Sequence, residues 1–481
     1  MKTFFLSKLG TILLCLVFIC VNALLIANEY YFLIPLPLLL LVVYLGLFRL
    51  DTLLLTIVFC TPFSFNFEDL STGGIGFYFP TEPLLFALMI IFICKSIINK
   101  DWKYSYHLKH PLSIIIIAQL TWILITTISS ELPVISLKFF LSRSWFILPM
   151  YFFSIHIFKR GFNEIHKFFF AFIIPLTIVL LITLFKHASM GFSEEAGHWV
   201  MWPFFKDHTS YGAIIALFIP VIIGLIRLNK QHYSKKVILQ IALVVFLIAL
   251  YFSYTRAAWL SIIGAIGVYL LFYFKISFKW IALVLSVITI GLVINSTEIN
   301  YLLQKNNAEH TTENFSERLE SMSNISSDAS NLERFNRWNC AIKLFKERPV
   351  FGWGPGTYSF VYSPFQDASD LTIISTNFGN GGNAHSEYLG PLAEQGFVGM
   401  IFMVLLLVCF FYRASWLYIN TKNQSIKTIT MMVLLSLVTY FSHGILNNYL
   451  DTDKASVPIW AMMAIFVALD CYHSKNVLSK K

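Results

Sequence analysis

The chain has 481 residues, of which 57% are hydrophobic, 17% aromatic and only 13% charged. Soluble globular domains carry about 25% charged residues, so this composition excludes an ordinary soluble enzyme and points to a polytopic membrane protein. The formal charge of +9 would suit a nucleic-acid partner, but basic residues also accumulate in the cytoplasmic loops of membrane proteins, so topology has to place it first.

Apolar runs long enough to cross a bilayer, or nearly so, lie at about 9–27, 30–48, 50–63, 79–98, 111–129, 134–157, 165–185, 209–228, 237–255, 257–275, 278–296, 396–413, 427–446 and 455–472. They predict an all-α polytopic membrane protein with 12–14 transmembrane helices. The 50–63 run is short and ends near Pro62, which leaves the lower count open. The first run follows Lys2 and Lys8 as in a signal peptide, but a second apolar run comes at once, so an uncleaved first helix is expected. Pro35, Pro37, Pro149, Pro175 and Pro220 fall inside runs, where neighbouring helices can satisfy the freed carbonyls.

Starting inside, alternate loops hold Arg49; Lys95, Lys100, Lys103 and Lys109; Lys159, Arg160 and Lys167; Arg227, Lys230, Lys235 and Lys236; Lys275 and Lys279; Arg413, Lys422 and Lys427; and Lys475, Lys480 and Lys481. The intervening loops carry Glu29, Glu68 and Asp69, Glu131, Glu194 and Glu195, or Asp451 and Asp453. The positive-inside rule then predicts both termini in the cytoplasm and the surplus charge as orientation signal. A nucleic-acid partner is excluded on this reading, since no basic-aromatic module is left over.

The chain divides into N-terminal transmembrane helices over 1–297, a large outer loop over 298–395, and C-terminal transmembrane helices over 396–481. The loop opens with a polar, Ser/Asn-rich surface stretch. From Leu332, Phe335, Trp338, Ile342 and Phe345 recur at helical spacing with Arg334, Arg337, Lys343 and Lys346 among them. This predicts an amphipathic helix, stopped by Pro349 and a Gly-rich turn over 352–356, with its aromatics in the headgroups of a lipid bilayer. Arginines, Gly-rich turns and a histidine are the residue types that handle phosphate and protons. Only Cys340, of seven cysteines, lies in the polar loop, so the loop has no disulfide of its own, and Cys340 is expected to react with an impermeant thiol reagent. No Cys/His spacing suggests a metal.

Six basic residues outside the long loop escape the inside pattern. Arg143 and Lys138 lie in the outer half of the sixth run, Arg256 at the outer turn before the tenth, and Lys186, Lys206 and Lys454 at loop edges. A charge within a span costs at least a few kcal/mol, so Arg143 and Arg256 are read as functional, with Lys138 left between function and snorkelling. Lys186, Lys206 and Lys454 are read as snorkelling to headgroups. Arginine's planar fork suits phosphate oxygens, and several at one membrane face would fit a lipid-linked diphosphate. Asp451-Thr452-Asp453 has the D-x-D spacing used with nucleotide sugars and divalent ions, but is read as a solvated acidic turn. Glu68-Asp69 is a further candidate base. A positioned histidine can take a proton from an attacking hydroxyl, which makes His385 a candidate; His198, His208, His310 and His443 are read as structural or exposed.

The pattern formed by Arg334, Trp338 and Ala341, then RPVFGWGPGTY (Arg348 to Tyr358), then AHSEYL and EQGFVG (Ala384 to Gly399) resembles the signature of the O-antigen ligase/polymerase superfamily. The YTRAAWL segment (Tyr254 to Leu260) is similar to that family's arginine-bearing outer turn. Ser386 stands where that family often has Asn after the histidine. The resemblance implies a metal-independent, cofactor-free membrane glycosyltransferase. It would move a glycan from an undecaprenyl-diphosphate carrier to an acceptor hydroxyl, lipid A-core or another glycan, at the periplasmic face of the bacterial inner membrane. Carried over, His385 is the general base. Arg256, Arg334 and Arg337 bind the diphosphate, with Arg143 and Lys138 as supports. A polymerase using a lipid-linked repeat as acceptor, and a non-catalytic polysaccharide or lipid transporter, remain the alternatives.

Overall fold

A computed structural model describes residues 8–31, 33–66, 76–98, 106–276, 329–367, 371, 375 and 382–473. Glu68, Asp69 and His310, the apolar run at 278–296, the polar stretch after 298, and Lys2, Lys100, Lys103, Lys279, Lys475, Lys480 and Lys481 lie outside the described residues.

The chain separates into two compact units, Met1–Thr56 and Ile57–Lys481. The first holds helices α1 (Lys8–Ala27) and α2 (Leu36–Phe48) and the start of α3 (Leu50–Cys60). Pro62 converts the end of α3 into a 3-10 turn, Thr61–Phe63, as expected from the missing N–H. The second unit continues with a two-residue hairpin, β1 (Phe65–Asn66) and β2 (Tyr78–Phe79), paired antiparallel. Then come α4 (Thr81–Ile98), α5 (Pro111–Ile128), α6 (Pro133–Ile147), α7 (Phe162–Ala188), α8 (His208–Leu228), α9 (Tyr233–Tyr251), α10 (Arg256–Tyr273), α11 (Ala329–Glu347), α12 (Leu389–Asn420), α13 (Gln424–His443) and α14 (Asp453–Ala468). Beyond α6 the helix passes through a π-helical stretch, Leu148–Phe153, around Pro149.

The architecture is that of an all-α polytopic membrane protein. Among the described residues, nine helices are long and apolar enough to cross a membrane, and three shorter apolar helices precede them. Large apolar side chains such as Ile128, Val134 and Phe185 stay exposed, as a lipid-facing surface requires. In contrast, α14 is buried all round, the mark of a helix at the centre of a bundle. α8 packs against α13, where Gly224 lets the backbones close: a Cβ there would sit 2.7 Å from Met432 Cβ.

The loops that carry few Lys and Arg come together at one end of the second unit. Arg348 at the end of α11 pairs with Glu131 after α5 at 2.7 Å, and Arg143 of α6 reaches the loop between α13 and α14. Thr255, before α10, donates to the His208 carbonyl at the start of α8 at 2.8 Å. At the opposite end Arg413 of α12 holds Asp470 just past α14 at 2.6 Å, and His110 before α5 lies 3.1 Å from the same carboxylate.

The face of α11 packed inside the protein holds Glu333, Arg337, Cys340, Ala341 and Leu344, while Ile342 is exposed. Tyr358, Tyr362 and Ala393 supply the packing that this face finds. Other expectations change. Cys340 is 0% exposed, with burial pushing its thiol up to about 11, which contradicts its expected labelling. Lys454 does not snorkel. It is 4% exposed and donates to the Ser64 carbonyl at 2.8 Å and the Ser64 hydroxyl at 2.6 Å, beside Asp453. Asp453 is fully buried, whereas Asp451 is exposed and pairs with Arg143, so only one of the two D-x-D carboxylates is solvated.

Candidate functional site

The site is built on α11, the loop before α12 and the loop after α13. Glu387 fixes the two loops together. Its buried carboxylate accepts from the Tyr440 hydroxyl at 2.6 Å and from the N–H groups of Tyr449 and Leu450 at 2.7 and 2.9 Å. Its own N–H donates to the Gly444 carbonyl at 2.8 Å. Ser386, the residue that departs from the family pattern, accepts from the N–H groups of Tyr388 and Leu389 where α12 begins. Asn and Ser are both good acceptors at a helix start, so the exchange keeps the contact.

Between these anchors His385 is held at φ +46°, a left-handed conformation uncommon for residues other than Gly and concentrated at functional sites. Its N–H donates to the Asn383 side chain at 3.0 Å, and the Trp338 indole N–H approaches its carbonyl at 3.5 Å. Trp338 stands one helical turn after Arg334 on the same face of α11. Burial, then the charges of Arg334 and Arg337, lower the imidazole to about 4; the Asn447 side chain acts the other way. The ring is therefore neutral near pH 7, the form that can accept a proton.

Arg337 is 5% exposed. Its Nε donates to Glu333 Oε1 at 2.6 Å and its guanidinium lies 4.1 Å from the Tyr362 ring centroid. Its Nη1 is buried with no hydrogen-bond partner among the described residues. Gly382, just before His385, leaves room for this group: a Cβ there would overlap the guanidinium. Arg334 donates from Nε to the Leu446 carbonyl at 3.2 Å, and its charge reaches His208, His443 and Tyr449 as well as His385. Arg256 opens α10 directly after Thr255, the residue bonded to His208, so its turn is tied to the helix start that Arg334 faces.

The remaining sequence candidates make other contacts. Arg143 donates to the Leu450 carbonyl at 3.1 Å and to Asp451 at 2.8 Å, bracing the loop that Glu387 also holds. Lys138 is exposed and its charge is felt at Glu82. The Gly-rich turn at 352–356 is scaffold: the N–H groups of Trp353 and Gly354 donate to the carbonyls of Ala393 and Glu394. Opposite it, α12 kinks at Gly396, where φ is +70° and a side chain would run into the Val350 carbonyl.

Sequence reasoning set aside His443 and passed over Asn447. Both are buried; both ring nitrogens of His443, and Asn447 Nδ2, have no hydrogen-bond partner among the described residues. The signal was the polar Asn447-Asn448-Tyr449 stretch interrupting two apolar runs. Buried polar groups are normally satisfied, so these atoms keep hydrogen-bonding capacity that the described residues do not use. Among the described residues no group of three or more His, Cys, Asp or Glu side chains is placed to hold a metal ion.

Residues 241–404 match the family model described as O-antigen ligase. That span includes Arg256, α11, His385 and the kink of α12. The match places an O-antigen ligase domain on this part of the chain and supports the O-antigen ligase superfamily. Members are membrane ligases and polymerases of glycosyltransferase type, which implies lipid-linked glycan substrates. The chain is also similar to an uncharacterized protein of Haemophilus influenzae, 23% identical over 291 residues that cover 60% of this chain and 69% of that one.

Proposed function

We propose that the protein is an inner-membrane glycosyltransferase that moves a glycan from undecaprenyl diphosphate to an acceptor hydroxyl, that of lipid A-core, at the periplasmic face. Both termini are then cytoplasmic. The observation that carries the proposal is the neutral, strained His385 beside Arg334 and Arg337, the latter with a buried guanidinium nitrogen that has no hydrogen-bond partner among the described residues.

Arg334, Arg337 and Arg256 hold the diphosphate. The acceptor hydroxyl gives its proton to His385 and its oxygen attacks the anomeric carbon. The bond from that carbon to the diphosphate oxygen breaks, and the polyprenyl diphosphate leaves with its charge stabilised by the guanidinium groups. His443 and Asn447 offer hydrogen bonds to the sugar hydroxyls. The diphosphate also prepares the base: it neutralises the two arginine charges that depress the imidazole, so donor binding raises its basicity. Catalysis then rests on positioning and charge and uses no metal.

A polymerase in this family would use a second lipid-linked repeat as acceptor through the same groups. Surface polysaccharide from a deletion strain, separated on a gel, tests the acceptor. Long glycan retained on the carrier supports the ligase; single repeats would overturn it in favour of the polymerase.

A further inference from the structure

We propose that the protein carries a second lipid site, for an anionic glycerophospholipid of the inner leaflet, with its headgroup end at the end of the bundle opposite His385. The inside placement of that end rests on the orientation proposed above. A cavity of about 600 Å³ opens between α8, α9, α10 and α13, within the size range of ligand pockets, about 300–1,000 Å³. Its walls are mostly apolar, including Ile223, Leu247, Ile266 and Leu435, and among the described residues no Asp or Glu lines it. Ile223 and Ile266 are 41% and 52% exposed, so the wall opens sideways to where acyl chains lie.

The charge is confined to one end. Arg227, in the last turn of α8, faces the Tyr269 ring at 5.9 Å, and Lys427, in the first turn of α13, lies over Tyr418 at 4.9 Å. Neither cation has a carboxylate partner among the described residues. Two unpaired cations at the mouth of an apolar groove match a phosphate with acyl chains behind it, and basic pockets between helices on the cytoplasmic side bind such headgroups.

Length separates this occupant from the glycan donor. From His208 to Arg227 along α8 is roughly 29 Å at 1.5 Å per residue, and from Lys427 to His443 along α13 roughly 24 Å. One diphosphate cannot serve the arginines at both ends. The donor's phosphates belong with Arg334 and Arg337, and the Arg227 and Lys427 pair needs a different anion.

The test is native mass spectrometry of the full-length protein, released from nanodiscs of equal phosphatidylglycerol and phosphatidylcholine. The wild type should retain phosphatidylglycerol preferentially. R227Q/K427Q should lower that preference by on the order of tenfold, and Ile266→Trp, which fills the groove from an exposed position, should reduce retention of both lipids. Equal preference in wild type and R227Q/K427Q would overturn the proposal, as would displacement of phosphatidylglycerol by added undecaprenyl phosphate, which would assign the groove to the carrier. The readout is lipid retention, so an inactive or fully active His385→Ala protein leaves this test intact.

Discussion

The guanidinium of Arg337 occupies the space that a side chain at Gly382 would fill. Gly382, three residues before His385, therefore leaves the room that the arginine fills, and no other residue could stand there without moving it. Gly382→Ala should displace Arg337 and weaken use of the lipid donor by about 10- to 100-fold in kcat/KM, the worth of a lost charged hydrogen bond. Donor titration of the purified variant in detergent checks this, with thermal stability as the control for folding.

The imidazole of His385 is lowered to about 4 by burial and by Arg334 and Arg337. The free enzyme's acid limb, read in kcat/KM, should fall near pH 4 and not near the ordinary histidine value of about 6.5. The limb in kcat should lie higher, because bound diphosphate cancels the arginine charges. Arg334→Gln should raise the kcat/KM limb. For stability the sign is that of a depressed group: the contribution is complete above about pH 6.5 and declines as pH falls toward about 4.

Glu387 takes three donors inside the site, from Tyr440, Tyr449 and Leu450. Glu387→Ala leaves all three buried without a partner, at about 1–3 kcal/mol each, and should sharply lower the melting temperature in detergent. Glu387→Gln keeps an acceptor oxygen and should lose distinctly less.

The outer placement of α11 is checked by labelling, though not at the native cysteine. Cys340 is buried with its thiolate disfavoured and should stay unlabelled in intact cells. A cysteine introduced at exposed Lys346 should react with an impermeant maleimide before permeabilisation. Labelling only afterwards would contradict the orientation.

The spans were legible in the sequence because twenty apolar residues have few other uses, and Pro62 and Pro149 marked where helices would change character. Arg334, Arg337 and His385 were legible through charge, chemistry and family likeness. What could not be read was which groups face one another. The α11 aromatics announced an apolar face, but Arg337 and Cys340 are the residues that pack against Tyr358 and Tyr362. Lys454 looked like a headgroup cation, since nothing in the sequence tells that Ser64 and Asp453 wait for it inside the bundle. His443 and Asn447 belong to a candidate site assembled from a helix and two loops, and no local spacing records that assembly.

The central claim is that His385 takes the proton from the acceptor hydroxyl. The most direct measurement is glycan transfer from an undecaprenyl-diphosphate donor by purified His385→Ala protein, with donor binding measured alongside. Transfer should fall by about 10²- to 10⁴-fold, the usual worth of a general base, while donor affinity stays within a few fold of the wild type. Undiminished transfer by a correctly inserted variant would contradict the account.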